Sequence, residues 1–250
     1  MRTLTKCSTL LILLCFVACT NPKYDSQTKH TVGHTHDYDD HTHMDDPYLS
    51  DRDISKDNAS SEEGESSRWM WQKPNDIINL LGDLSGKTVA DIGAGPYGYF
   101  SFGIALHYPK KVIAIDIDPA AIEFMDKMYQ ENMLQMIDEE RGKPEFETRL
   151  VDPDDPKLKP AEADIVLIVN TIAYFEDPVA YFKNVKSGMT EGAKIMIVDF
   201  KMKHIPVLEV PNELKVPINE VEAQLRAAGF QQISTDDQIL DYQYIVTAYN

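Results

Sequence analysis

From residue 88 onward the apolar residues change spacing in a regular way, continuous in short runs and then periodic over longer ones. Thr88–Ile92, Lys111–Asp116, Phe146–Val151, Asp164–Asn170 and Lys194–Phe200 are short runs rich in Val and Ile, as expected of strands buried on both faces. Between them, about Tyr99–His107, Pro119–Glu139 and Pro178–Ser187 read as helices, two of them opening on Pro, which suits a first helical position. Asn219–Ala228 is a further helix, stopped by Gly229. Ahead of the first strand, Ile77, Ile78, Leu80 and Leu81 mark a short helix for which Asn75 or Asp76 is a candidate cap. Gln231–Thr235 and Tyr242–Tyr249 are β-rich and joined by a short link around Asp236-Asp237-Gln238, too short for a crossover helix, so they should pair antiparallel. The expected fold is therefore α/β: a Rossmann-like, mostly parallel sheet with helices on both faces and an antiparallel C-terminal strand pair.

Before residue 68 this pattern is absent. Arg2 and Lys6 precede an apolar run from Leu10 to Val17 that is too short to span a bilayer and reads as a targeting segment, residues 1–18. Phe16-Val17-Ala18-Cys19 resembles the lipobox of bacterial lipoproteins, which implies cleavage before Cys19 and acylation of its thiol, with the protein held on a membrane outside the cytoplasm. A plain cleaved signal peptide is the alternative. Residues 19–67 form an expected disordered tether: from Thr20 to Ser67 there are twelve Asp/Glu against four Lys/Arg, and few apolar residues to offset ordering entropy. Within it His34, His36, His41 and His43 alternate with carboxylates, a composition able to chelate divalent metal loosely, although the spacing fits no defined site and a solvated stalk is the other reading.

The net charge of −17 argues against a nucleic-acid partner, because phosphate backbones call for Lys and Arg. All three cysteines, Cys7, Cys15 and Cys19, precede the body, which excludes disulfide, thiolate and Cys-zinc chemistry from residues 68–250.

Candidate chemistry lies at the carboxyl ends of the strands, where open α/β sheets bind ligands. After the first strand come Asp91, Gly93, Ala94, Gly95 and Gly98, a glycine bend opening a helix whose N–H groups are unpaired. A carboxylate two residues before the first glycine would repel a pyrophosphate but suits a ligand bearing an ammonium or sulfonium. Asp116, at the second strand end, can accept ribose hydroxyls. Alone, the glycines can be a tight turn, and Asp116 or Asp118 a helix cap before Pro119. The other strand ends offer Asp152, then Asn170, Thr171 and Tyr174, then Asp199, Lys201 and His204.

On Asp91-Ile92-Gly93-Ala94-Gly95, Ile115-Asp116-Ile117-Asp118, Asp152 ahead of Asp164, and Ala227-Ala228-Gly229-Phe230, residues 69–250 resemble class I S-adenosyl-L-methionine (SAM)-dependent methyltransferases. Trp71-Gln72-Lys73-Pro74 and Asn170-Thr171 are similar to a small bacterial group within that family. The resemblance implies SAM as cofactor: Asp91, Gly93, Ala94, Gly95 and Gly98 around its methionine part, Asp116 and Ile117 at the ribose, and Asp152 near the adenine. Asn170 to Tyr174 would border the methyl path toward a small-molecule or lipid-like acceptor. Two departures stand out. Gly95-Pro96-Tyr97-Gly98 carries one residue more than the family's Gly-x-Gly, and Ile172-Ala173-Tyr174-Phe175 replaces the histidines that follow Asn-Thr in that group. Tyr174 is the one candidate catalytic residue, as hydrogen-bond donor or as pocket wall; His107 and His204 read as structural or solvated. An NAD-type dehydrogenase is disfavoured by Asp91 and the antiparallel sheet end. Against the enzyme reading stands a methyltransferase fold without activity, or a metal-binding surface lipoprotein, because SAM is made in the cytoplasm and the leader predicts export.

Overall fold

The computed structural model describes residues 68–250. The leader 1–18 and the tether 19–67, with Cys19, His34, His36, His41 and His43, lie outside the described residues. Seven strands form one sheet: β1 Thr88–Ile92, β2 Lys111–Asp116, β3 Glu145–Leu150, β4 Ala163–Val169, β5 Met189–Phe200, β6 Gln231–Asp236 and β7 Gln243–Tyr249. Their order is β3-β2-β1-β4-β5-β7-β6. The first five run parallel, while β7 pairs antiparallel with both β5 and β6. The order reverses between β1 and β4, so the crevice expected of such a sheet opens above the carboxyl ends of those two strands.

The central strands are dry because their side chains alternate into separate helix layers. On one face Val89, Val112, Leu167 and Val198 pack under α1 (Pro74–Leu81) and α2 (Tyr99–Ala105) through Ile77, Ile78, Leu81, Phe100 and Ile104. The same face carries α3 (Pro119–Glu131), whose Met125 and Tyr129 meet Ala114 of β2 and Phe102 of α2. On the other face Ile92, Ile113, Ile168 and Ile197 pack against α4 (Pro178–Gly188) and α5 (Ile218–Ala228) through Phe182, Val185, Val221 and Leu225. Each strand thus satisfies two layers, which is why the sequence reads as unbroken apolar runs.

Three local expectations are corrected. The helix from Pro119 stops at Glu131 rather than Glu139; Asn132 leaves the helical region and two single 3₁₀ turns, Met133–Gln135 and Glu139–Arg141, follow. The first helix begins at Pro74 with Lys73 in the left-handed region (φ 49°) at its N-terminus, not with Asn75 or Asp76 as a cap. There Lys73 Nζ donates to the Ile239 carbonyl at 2.8 Å, tying the helix start to the turn before β7. Strand β5 begins at Met189, directly out of α4, and Gly192 (φ 70°) marks a register shift inside the strand rather than a turn before it.

The β3–β4 connection carries no helix. Residues 151–162 cross as extended chain and turns, held by Arg149, whose guanidinium donates to both Glu162 oxygens (2.8 and 2.9 Å), to Glu147 and to the Lys157 carbonyl. Burial is tight beneath it: a Cβ on Gly188 would lie 2.3 Å from Cβ of Leu158.

Candidate active site

The bend after β1 is built by hydrogen bonds that aim its backbone at the crevice. The N–H groups of Gly93 and Ala94 both donate to the Ile115 carbonyl, at 2.9 and 3.0 Å, folding the end of β1 over β2. Gly93 (φ 78°) also lies against the loop after β4, where a Cβ would sit 2.2 Å from Thr171 Oγ1. Thr171 is itself fixed by donating from Oγ1 to the Val169 carbonyl at 2.9 Å. Gly95 (φ 69°) differs, since a Cβ there would meet nothing within 4 Å. Its peptide borders open space, the condition for a ligand to lie on bare backbone.

The extra residue is absorbed by a turn from Gly95 to Gly98, closed by Gly98 N–H to the Gly95 carbonyl at 3.2 Å. Tyr97 is exposed and turned edge-on to Phe124 of α3, so it does not cover the bend. Gly98 begins α2 in the left-handed region, and a Cβ on it would crowd Phe102 and the Met125 sulfur at 3.0–3.1 Å. It therefore serves the interior. Ala94 is half-buried against the same layer.

Asp116 organises the loop from the β2 side. Its Oδ2 accepts from Gly95 N–H at 2.8 Å and its Oδ1 from Asp118 N–H at 3.0 Å, which leaves each oxygen further acceptor capacity. The helix cap before Pro119 is Asp118, which accepts from Ala120 N–H. Beside it Ile117 is an exposed apolar side chain. Asp152 stands farther out, exposed and paired with Lys157.

Asp91 is placed differently from the other acids. It is buried beneath the bend, accepting from Ser101 Oγ at 2.6 Å in the first turns of α2. Burial pushes its carboxyl up to about 6, opposed by the Ser101 hydrogen bonds and reinforced by the charge of Asp116. It meets the crevice as a charge under the loop, not as an exposed ligand.

Across the crevice, Asn170 takes a left-handed conformation (φ 54°), with its Oδ1 accepting from Gln243 Nε2 at 2.6 Å. Tyr174 follows on a 3₁₀ turn, Ile172–Tyr174, half exposed at the rim. His204 is exposed, and His107 is exposed with Nδ1 2.9 Å from the Gly103 carbonyl. The structure thus gathers Gly93, Gly95, Asp116, Ile117, Asn170 and Thr171 around one opening, with Asp91 below it and Asp152 outside.

Two supporting residues lacked a signal of their own in the sequence. Ser101 sits in a helix as any polar residue would. Asp199 closes an apolar strand run and proves almost wholly buried, accepting from the N–H groups of Phe200 and Ile172 while its Oδ2 has no partner. Burial pushes its carboxyl up to about 7. Through Ile172 it holds the loop that carries Thr171 and Tyr174. A carboxylate ending a dry strand was the available clue.

The chain matches the family described as Methyltransferase domain over residues 83–245. It belongs to that family. No curated protein matches the chain in sequence. Among solved structures this methyltransferase-domain chain is similar to a SAM-dependent methyltransferase from Aquifex aeolicus, with TM-score 0.62, 20% identity, and 73% of this chain and 92% of that one covered. A SAM-dependent methyltransferase from Mesorhizobium loti has TM-score 0.55 and 12% identity, covering 70% and 96%. Phosphoethanolamine N-methyltransferase 2 from Haemonchus contortus, in complex with SAM, has TM-score 0.57 and 13% identity, covering 80% and 59%. At these identities the likeness is one of fold, and the methyltransferase domain shares it across the whole sheet. Among the described residues no His/Cys/Asp/Glu group is arranged to hold a metal ion, and no helix is long and apolar enough to cross a membrane.

Proposed function

We propose that the domain binds SAM in the crevice between β1 and β4 and transfers its methyl group to an acceptor presented from the Asn170–Tyr174 side. One observation carries this reading: the Gly95 backbone borders open space while Asp116, holding its N–H, keeps acceptor capacity on both oxygens. The cradle suits an adenosyl ligand. Asp116 can take the ribose hydroxyls, the exposed Ile117 offers an apolar surface for a base, and the ionised Asp91 favours a cation above the bend.

When bound, SAM supplies an already activated methyl on sulfur. The chain's own task is to position and to exclude water. Gly93 and Thr171 hold the two walls at fixed separation, and Asp199 fixes the acceptor loop from behind through Ile172 N–H. Tyr174 lines the rim of that loop. No base is needed for an acceptor that is already nucleophilic.

The full reading places the protein outside the cytoplasm on an acyl chain at Cys19, acting on a small-molecule or lipid-like acceptor. Titration calorimetry of the full chain in detergent, with SAM and S-adenosylhomocysteine, tests the donor half. Micromolar binding is expected, weakened roughly tenfold or more in Asp116→Ala. Folded protein that binds neither ligand would leave the fold without the activity.

A further inference from the structure

The molecule carries 41 acidic against 24 basic residues, yet two segments at the carboxyl edge of the sheet contain no Asp or Glu. Residues 68–75 bring Arg68 and Lys73, and residues 200–208 bring Lys201 and Lys203. These segments pack on one another. Trp71 from the first is buried with Phe200 and Ile205 from the second, its ring centroid 6.1 Å from that of Phe200. Both are also tied to the turn before β7: Lys73 Nζ donates to the Ile239 carbonyl, Lys201 Nζ donates to the Leu240 carbonyl at 2.7 Å, and Lys203 Nζ lies 5.4 Å from the Tyr242 ring centroid.

Around this buried anchor the neighbouring apolar side chains face outward. Met70 is 72% exposed, Met202 57% and Val207 47%, and Trp69 and Leu208 are exposed as well. Large apolar residues interleaved with cations, on an otherwise acidic body, form an amphipathic surface rather than scattered exposure. Trp favours the boundary between headgroups and acyl chains, and a cationic rim is drawn to an anionic leaflet. A soluble acidic body gains nothing from such a surface in water.

We propose that this face docks on the surface of an anionic bilayer. The polypeptide enters the domain at Arg68, within the face itself, and the chain ahead of it leads back to Cys19, where the sequence predicts the acyl anchor. The charge of the face complements acidic phospholipid headgroups, whereas the rest of the molecule is repelled by them. Docking here does not depend on the donor, so the two readings can fail separately.

The chain has two tryptophans, Trp69 and Trp71, and both lie in this face. Their fluorescence therefore reports on it. The full chain is reconstituted on phosphatidylglycerol or phosphatidylcholine vesicles whose acyl chains are brominated, and quenching of emission is measured, with SAM binding followed in the same samples. Quenching is expected to be roughly twofold or more stronger on phosphatidylglycerol. It should disappear in Met70→Ser/Met202→Ser/Leu208→Ser, a triple change at exposed positions that leaves the fold intact. Absence of quenching on phosphatidylglycerol, or quenching indifferent to the lipid charge or to the triple change, overturns the proposal whether or not SAM binds. A protein that prefers a protein partner on this face would give the first of those results.

Discussion

Gly93 and Thr171 meet across the gap where the strand order reverses, with room for a hydrogen but not for a methyl group: a Cβ on Gly93 would lie 2.2 Å from Oγ1 and 2.7 Å from Cγ2 of Thr171. Gly93→Ala adds both this clash and left-handed strain at φ 78°, and is expected to cost about 2–4 kcal/mol. Denaturant unfolding of Gly93→Ala, Thr171→Ala and the double variant checks the contact. Thr171→Ala should return part of the loss, giving a coupling of about 1 kcal/mol or more, and strict additivity would show that the walls do not touch.

Asp91 makes donor affinity depend on pH. Its carboxyl, raised by burial to about 6, is neutral below that value and charged above it. A cationic ligand prefers the charged form, so SAM should bind more tightly as pH rises from about 5 to about 7.5, with a slope approaching tenfold per unit on the acid side. Calorimetry at several pH values should lose this slope in Asp91→Asn. The slope persisting in that variant would remove Asp91 from the site's electrostatics.

Asp199 carries the opposite sign for the fold. A carboxyl raised to about 7 in the native state and ordinary when unfolded contributes stability that is fully present below about pH 4 and lost as pH rises through about 7. In Asp199→Asn the amide keeps an acceptor for Phe200 N–H, and no charge is left to desolvate. Thermal melts should therefore show the variant gaining on the wild type as pH rises from 5 to 8.5, by on the order of 2 kcal/mol at the upper end. Equal pH dependence in the two proteins would show that Asp199 is hydrated.

Glu162 works the other way. The Arg149 guanidinium lowers its carboxyl to about 2, so its contribution is present above about pH 4.5 and lost as pH falls toward 2. Glu162→Gln should cost on the order of 2 kcal/mol at pH 7 and almost nothing at pH 2.5. Chemical denaturation at the two pH values measures the difference.

The sheet was legible because each inner strand packs against helices on both faces, leaving an apolar run that few other structures produce. Runs such as Ile165–Val169 and Ile195–Val198 needed no context. The end of α3 was not legible, because Met125, Tyr129, Met133 and Ile137 keep a helical spacing of four after the helix itself has ended. All four stay buried while the backbone tightens into 3₁₀ turns, and Asp138 N–H is taken by Tyr108 Oη, a bond from 30 residues away. The start of β5 was obscured by Gly188 and Gly192, which look like turn markers; one is a packing contact with Leu158 and the other a bulge. At the site, residue types pointed to the right loops. They did not show that Asp91 faces Ser101 or that Asp116 already serves two backbone amides, since both depend on which way a side chain turns after the chain has folded.

Strand β7 lies inside the sheet, between β5 and β6, although it is the last strand of the chain. Its neighbours must wait, edges unpaired, until Tyr249 has been synthesised. The domain therefore stays unfinished throughout translation, which is the condition in which a polypeptide can still be threaded through a secretion pore.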